Sequence, residues 1–305
     1  MPKPTVELKG VTKRFGDLVA VDRLDLTLPG GGIVGFLGPN GAGKTTSLRL
    51  LLGIYVPDAG EVRVLGQRVG ESRSRIGYLP EERGLYKRMR ADDAIAYVAA
   101  LKGMDRHQAL VRARELLARF GLEAFARVRI EGLSKGMAQK VELLAAVAHD
   151  PDFVILDEPF VGLDPVNQGE LEDFLRSLAR DGKTILFSTH TMEHAERLCD
   201  RLVIMVRGRK YFDGTLNEAR NLLPRRVNIG AEGDLGFLAS AEGVAQVLPP
   251  GEGREFWQID LKDGADGRAL LAVCFEHGAA PFHFDLAPPS LHDVFVALVE
   301  RANAS

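Results

Sequence analysis

From residue 38 the chain reads Gly38-Pro39-Asn40-Gly41-Ala42-Gly43-Lys44-Thr45, a glycine, four residues, then glycine, lysine and a hydroxyl. Glycines at such a turn let successive backbone N–H groups point inward without Cβ clashes, and a helix starting there adds positive potential. The chemistry implied is the grip of a nucleoside triphosphate by main-chain amides. Lys44 is placed to reach the β- and γ-phosphates, and the Thr45 hydroxyl to ligate Mg²⁺. Ile33-Val34-Gly35-Phe36-Leu37 enters the loop as a buried strand. Thr46 opens the helix that leaves it, with Leu48, Leu51 and Leu52 on one side.

A second group able to do chemistry is Asp157-Glu158, closing the apolar run Phe153–Leu156. Pro159 cannot continue a central strand, so both carboxylates stand at a strand's carboxyl end, where open α/β sheets bind ligands. There Asp157 can hold Mg²⁺ through its water shell, and Glu158 can act as general base toward an attacking water. Ser134, before the apolar-periodic stretch Met137–His149, is a good helix N-cap. Its hydroxyl and the free N–H groups around Gly136 and Met137 make a second anion site.

The elements that must position these groups follow from hydrophobic period. Val6–Leu8, Leu24–Leu28 and Glu61–Leu65 alternate apolar and polar, as antiparallel strands exposed on one face do. Phe153–Leu156 and Thr184–Ser188 are short apolar runs suited to central parallel strands, and Asn167–Arg180 between them has helical spacing. A helical stretch from Asp92 to Phe125 is interrupted near Gly103. Together these describe an α/β mixed sheet with crossover helices, an antiparallel edge and a helical insertion. Beyond Asn221–Pro224 the pattern changes. Short strands at Arg226–Ile229, Phe256–Leu261 and Phe282–Leu286 alternate with helices at Arg268–Glu276 and Ser290–Ala302. Residues 1–220 are thus expected to form the nucleotide domain, and 221–305 a small C-terminal α+β domain without nucleotide or metal motif.

Bulk composition narrows the function. At 305 residues, 46% hydrophobic and 27% charged, the chain is an ordinary globular protein long enough for two domains. A net charge of −3 argues against nucleic acid as the main partner. Cys199 and Cys274 lack CxxC spacing, which disfavours zinc and disulfides and suits a reducing cytoplasm. Neither a secretory leader nor a membrane-crossing stretch is expected.

Five ordered motifs now carry a resemblance. Gly38–Thr45, Leu133-Ser134-Lys135-Gly136-Met137, Phe153–Glu158, Gly162-Leu163-Asp164 and Ser188-Thr189-His190 follow the order seen in ATP-binding-cassette proteins. Over residues 5 to 220 the chain resembles the ATPase subunit of an ABC transporter, which implies the P-loop NTPase cassette fold with ATP and Mg²⁺. Ile76–Tyr86, followed by Leu-Ser-Lys-Gly-Met, is similar to a narrower group of bacterial export-type ATPases, including sodium-extrusion and drug-resistance subunits. Pro289–Phe295 is also similar to that group's small C-terminal domain.

The resemblance implies further roles. Two copies would pair head to tail, each ATP lying between one phosphate loop and the other copy's Ser134, Gly136 and Met137. His190 would contact the γ-phosphate and orient water with Glu158. Asp164 would cross the dimer interface, although capping the helix after Pro165 is the plainer use of that carboxylate. Phe15 would stack on adenine in place of the usual tyrosine. Glu81 stands where many members have a glutamine that ligates Mg²⁺, and Lys135 and Met137 replace the commoner glycine and glutamine. The docking surface for a separate transmembrane permease would lie around Glu81–Met104, where Leu85, Tyr86 and Met89 sit among Arg83, Lys87, Arg88 and Arg90. Such a subunit works at the cytoplasmic face of the cell membrane. Two alternatives stand beside it: a soluble ABC-type ATPase acting on ribosome or DNA, and a regulatory cassette that binds ATP without turnover.

Overall fold

The computed structural model describes residues 4–82, 84–251, 255–262, 264–286 and 288–304. The expected docking residue Arg83 lies outside them. The chain divides into two compact units, one ending at Thr215 and one of Leu216–Ala304. A short helix, 216–220, therefore groups with the second unit rather than with the first.

In chain order the first unit contains β1 (Val6–Phe15), β2 (Leu18–Leu28), β3 (Gly32–Leu37), α1 (Lys44–Leu51), β4 (Ala59–Val64), β5 (Gln67–Arg68) and β6 (Ile76–Leu79). Then come α2 (Ala91–Leu101), α3 (Arg106–Arg119), α4 (Lys135–Val147), β7 (Phe153–Asp157), α5 (Pro165–Arg180), β8 (Thr184–Thr189), α6 (Met192–Leu198), β9 (Arg201–Val206) and β10 (Arg209–Gly214). One sheet runs β10-β9-β3-β8-β7-β6 and a second, antiparallel sheet runs β2-β1-β4-β5. The six-stranded sheet is parallel apart from β10.

Period two decides how these strands pack. Val154, Leu156, Ile185 and Phe187 point to one side and share a core with Ile95 of α2, Leu144 of α4 and Leu175 of α5. Their neighbours Phe153, Ile155, Leu186, Val203 and Met205 point to the other side, where Leu48 and Leu51 of α1 and Leu8 and Leu26 of the antiparallel sheet meet them. Both faces of the parallel strands are thus covered, which is why they read as continuous apolar runs. Each fully buried leucine, isoleucine or phenylalanine contributes about 1.5–3 kcal/mol.

The register has a functional consequence. Leu37 pairs with Thr189, Ser188 with Asp157, and Leu156 with Leu79. The carboxyl ends of β3, β8, β7 and β6 therefore open side by side, delivering Gly38, His190, Glu158 and Glu81 to one edge.

The second unit contains α7 (Leu216–Arg220), β11 (Arg226–Ala231), β12 (Val244–Leu248), β13 (Trp257–Leu261), α8 (Ala269–Glu276), β14 (Pro281–Asp285) and α9 (Leu291–Ala304). Its antiparallel sheet runs β12-β13-β11-β14. Val227, Ile229, Ile259, Leu270 and Cys274 form its own core.

Candidate functional site

The turn after β3 is shaped by close backbone approach. At Gly43, whose φ is 94°, a Cβ would lie 2.3 Å from the Ala20 carbonyl oxygen; at Gly38 it would lie 2.4 Å from that of Met205. These glycines therefore serve packing against β2 and β9 as well as the inward turn of the amides. Gly43 is also the N-cap of α1 and supplies no side-chain cap, so the first amides of the helix face the loop.

Lys44 is buried and folds back on its own loop, donating from Nζ to the carbonyls of Gly38 (2.6 Å) and Pro39 (3.2 Å). Burial pulls its pKa down, while Glu158, Asp157 and Glu81 push the other way. A cation held so among neutral carbonyls is available to polyanionic oxygen.

A cleft of about 570 Å³ brings together Phe15, Asn40, Gly41, Ala42, Gly43, Lys44, Thr45, Thr46, Glu81, Asp157 and Glu158. At its apolar end Phe15 is 43% exposed, with Tyr55 packed edge-on at 5.2 Å and Lys13 Nζ 5.5 Å from the ring centre. At its acidic end Asp157 Oδ1 accepts from the Ser188 hydroxyl, whereas Oδ2 is buried with no hydrogen-bond partner. A bare carboxylate oxygen on a residue lining the same cleft as Thr45 and Glu81 belongs to a hard-oxygen donor set that suits Mg²⁺ or its water shell.

Glu158 follows with a backbone φ of 51°, rare for a side-chain-bearing residue, and its N–H donates to the Ser188 carbonyl. Its Oε1 is 2.9 Å from Nδ1 of His190. The carboxylate is sheltered and the imidazole mostly exposed. Such a pair can take a proton from water and orient a neighbouring anion.

Ser134, Gly136, Met137 and Asp164 do not line this cleft. They gather elsewhere. Ser134 Oγ caps α4 by accepting from Met137 N–H, and Asp164 caps α5 by accepting from Asn167 N–H at 3.0 Å. Those bonds to Asn167 hold the Asp164 carboxyl below its ordinary pKa. A Cβ on Gly136 would sit 3.6 Å from Asn167 Nδ2, and one on Gly162 2.5 Å from Lys135 Cε, so the two capped turns lie together.

Sequence reasoning missed four cleft residues: Leu18, Val19, Ala20 and Arg207. A signal existed for the first, since Gly16-Asp17 is a tight turn that pairs Phe15 with Leu18. Arg207 sits in the turn between β9 and β10, and that hairpin was not read from the sequence at all.

Comparison with known proteins bears directly on this arrangement. A family model described as ABC transporter matches residues 21–161. An uncharacterized ABC transporter ATP-binding protein of Bacillus subtilis (strain 168), YhaQ, is 42% identical over 291 residues, covering 95% of this chain and 96% of the relative. The chain belongs to the ABC transporter ATP-binding proteins. This ABC subunit is also similar to a Nod factor export ATP-binding protein I of Burkholderia lata (strain ATCC 17760 / DSM 23089 / LMG 22485 / NCIMB 9086 / R18194 / 383), 40% identical over 70% of this chain and 72% of that protein. Among solved structures, a dimeric ATP-binding cassette in a post-hydrolysis state, bound to ADP and Pi, has a TM-score of 0.64 at 27% identity. That match covers 69% of this chain and 98% of the other. The ABC subunit is an ATPase of P-loop fold and ATP is its nucleotide.

Proposed function

We propose that this ATPase works as a head-to-tail pair of identical subunits that hydrolyses Mg²⁺-bound ATP to drive export through a separate membrane permease. The observation that carries the reading is the split of its site. Phosphate loop, Asp157 with its orphaned oxygen and Glu158 line one cleft, with His190 bonded to Glu158 beside it, while Ser134, Gly136, Met137 and Asp164 gather apart from it. A second copy would bring the missing face to each cleft.

In this reading the amides of Gly38–Thr46 and Lys44 hold the phosphates, and Phe15 stacks on adenine. Thr45, Asp157 and Glu81 would hold Mg²⁺, which supplies charge neutralisation at the β- and γ-oxygens when bound. Glu158 takes the proton of the attacking water, and His190 keeps that carboxylate and the γ-phosphate in line. Across the interface the Ser134 hydroxyl, the Gly136 and Met137 amides and Asp164 complete the enclosure. Residues 1–220 act as the ATP domain and 221–305 as an accessory domain.

No helix among the described residues is long and apolar enough to cross a membrane, and in this reading a separate permease forms the pathway. A groove of about 610 Å³ between α2 and α3, lined by Met89, Tyr97, Leu101 and Met104, offers that partner an apolar seat. The subunit would then sit on the cytoplasmic face of the membrane through its permease. Export is supported by the similarity to the Nod factor export ATP-binding protein. The deciding experiment is size-exclusion chromatography with light scattering of Glu158→Gln with Mg²⁺ and ATP. A dimer that needs ATP supports the reading; a monomer that holds ATP without pairing overturns it.

A further inference from the structure

Two buried ionisable side chains lie behind the cleft and outside the chemistry above. Glu172 on α5 and His194 on α6 are 7% and 5% exposed. His194 Nδ1 is 3.2 Å from Glu172 Oε1, and Arg197 Nη2 reaches the same oxygen at 2.9 Å. The imidazole lies flat on the ring of Phe160, with centroids 4.0 Å apart and planes 12° from parallel. Phe160, itself buried, meets Phe187 of β8 edge-on at 5.8 Å.

The topology makes this junction consequential. Phe160 is two residues after Glu158, and His194 lies in the first turn of α6, four residues after His190. The stack therefore ties the segment carrying Glu158 to the helix that begins two residues after His190. The segment has a second tie at Pro159, whose carbonyl accepts from Gln139 Nε2 at 2.7 Å. Glu172 adds what an apolar residue in place of His194 would lack. Nδ1 also lies 3.2 Å from Arg197 Nη2, so the ring is bonded on this edge in either tautomer. It donates to Glu172 when Nδ1 carries the hydrogen and accepts from Arg197 when it does not. The Glu172–Arg197 pair thereby sets the plane of the imidazole on which Phe160 rests.

We infer that His194 is a positioning residue for ATP hydrolysis, its ring holding the Glu158 and His190 segments in register. This rests on the proposed reading that Glu158 and His190 are the reacting pair. The Glu158–His190 separation of 2.9 Å then depends on a contact that touches neither nucleotide nor water. A misplacement near 1 Å costs on the order of 100-fold in rate while ground-state binding is kept.

The test is steady-state ATPase kinetics on full-length chain, with ATP binding and melting temperature measured in parallel. His194→Ala and Phe160→Leu, assayed well below their melting temperatures, should each lower kcat by on the order of 10- to 100-fold with KM for ATP little changed. Glu158→Gln/His194→Ala should form the ATP-held dimer as readily as Glu158→Gln alone. If His194→Ala does not fold, His194→Phe carries the test: it fills the same space without bonding Glu172, and should also lose kcat and not KM. A parent-like kcat in whichever of these variants folds, with only melting lowered, overturns the inference. Equal loss of kcat and of ATP binding overturns it too, because that is the signature of general loosening. Failure of the parent reading looks different: Glu158→Gln would then turn over at the parent rate whatever His194 does.

Discussion

The cleft built on β3, β6, β7 and β8 and the capped turns at Ser134 and Asp164 solve opposite problems with similar parts. Both put a helix N-terminus at a surface. In the cleft the N-cap is Gly43, which leaves the first amides of α1 without a side-chain acceptor, Lys44 is held only by carbonyls of its own loop, and one oxygen of Asp157 has no partner. At the other face Ser134 and Asp164 spend their side chains on capping α4 and α5. An end left uncapped is a binding site waiting for an anion, whereas a capped end is stable alone and presents only its remaining amides. On the proposed reading the first face takes ATP by itself, and the second contributes only when a phosphate is brought to it.

The largest test of that asymmetry is Glu158→Gln. Turnover should fall by on the order of 10²- to 10⁴-fold in a phosphate-release assay, because the proposed general base is lost. ATP binding should persist, since the loop, Lys44 and Phe15 are untouched. Next comes the second face. Gly136→Asp adds a carboxylate where a Cβ meets only ordinary contacts, so the fold should survive. Its charge would oppose the γ-phosphate of the other copy at a cost of several kcal/mol. The expected outcome is normal fluorescent-ATP binding, no ATP-dependent dimer by light scattering, and turnover down by at least tenfold. If Gly136→Asp weakened binding in the single subunit instead, the two faces would not be separable as described.

How much of this was legible beforehand follows the same asymmetry. The phosphate loop and Asp157-Glu158 could be read because their chemistry demands residue types at set spacings next to apolar runs. Position in the sheet was legible wherever a strand is buried on both faces, as at Phe153–Leu156. Leu202–Val206 is equally apolar yet went unread, since no chemical motif follows it. With it went β10 and the Arg207 turn. Val244–Leu248 alternates weakly and ends at two prolines, so β12 also escaped notice. The Phe160–His194–Glu172 junction was beyond sequence reasoning, because its members are joined only when α5 and α6 pack on the same sheet. Capping of α5 by Asp164 was legible, since Asp-Pro before a helix is a local signal.

A smaller effect sits at the apolar end of the cleft. Removing the ring in Phe15→Ala should weaken ATP binding by roughly tenfold, near the lower end of the 1–3 kcal/mol that base stacking supplies. Phe15→Tyr should be neutral, and kcat should stay put in both. Isothermal titration of each variant checks this, and a fall in kcat without a change in affinity would remove Phe15 from the adenine site.

The smallest effect concerns acid, and it protects the comparison from a false reading. His149, just beyond α4, is partly buried, and its Nε2 faces the Ile76 carbonyl at 3.2 Å. A carbonyl can only accept, so Nε2 carries the hydrogen and Nδ1 is left bare and without a partner. Burial, reinforced by the Lys102 ammonium, lowers its pKa from 6.5 to about 4. The unfolded chain therefore binds this proton first. The contribution to stability is whole above pH 6.5 and is lost as pH falls toward 4. His149→Gln, which keeps an amide to donate to Ile76, should flatten that loss, shifting melting temperatures by roughly a few degrees at pH 5 and leaving them unchanged at pH 8. Turnover that declines in acid in the parent but less in His149→Gln reports unfolding; a decline unchanged by the substitution does not come from His149. Scanning calorimetry alongside ATPase rates from pH 8 to 5 separates the two, and identical melting curves for parent and variant at pH 5 would show that His149 bears no such load.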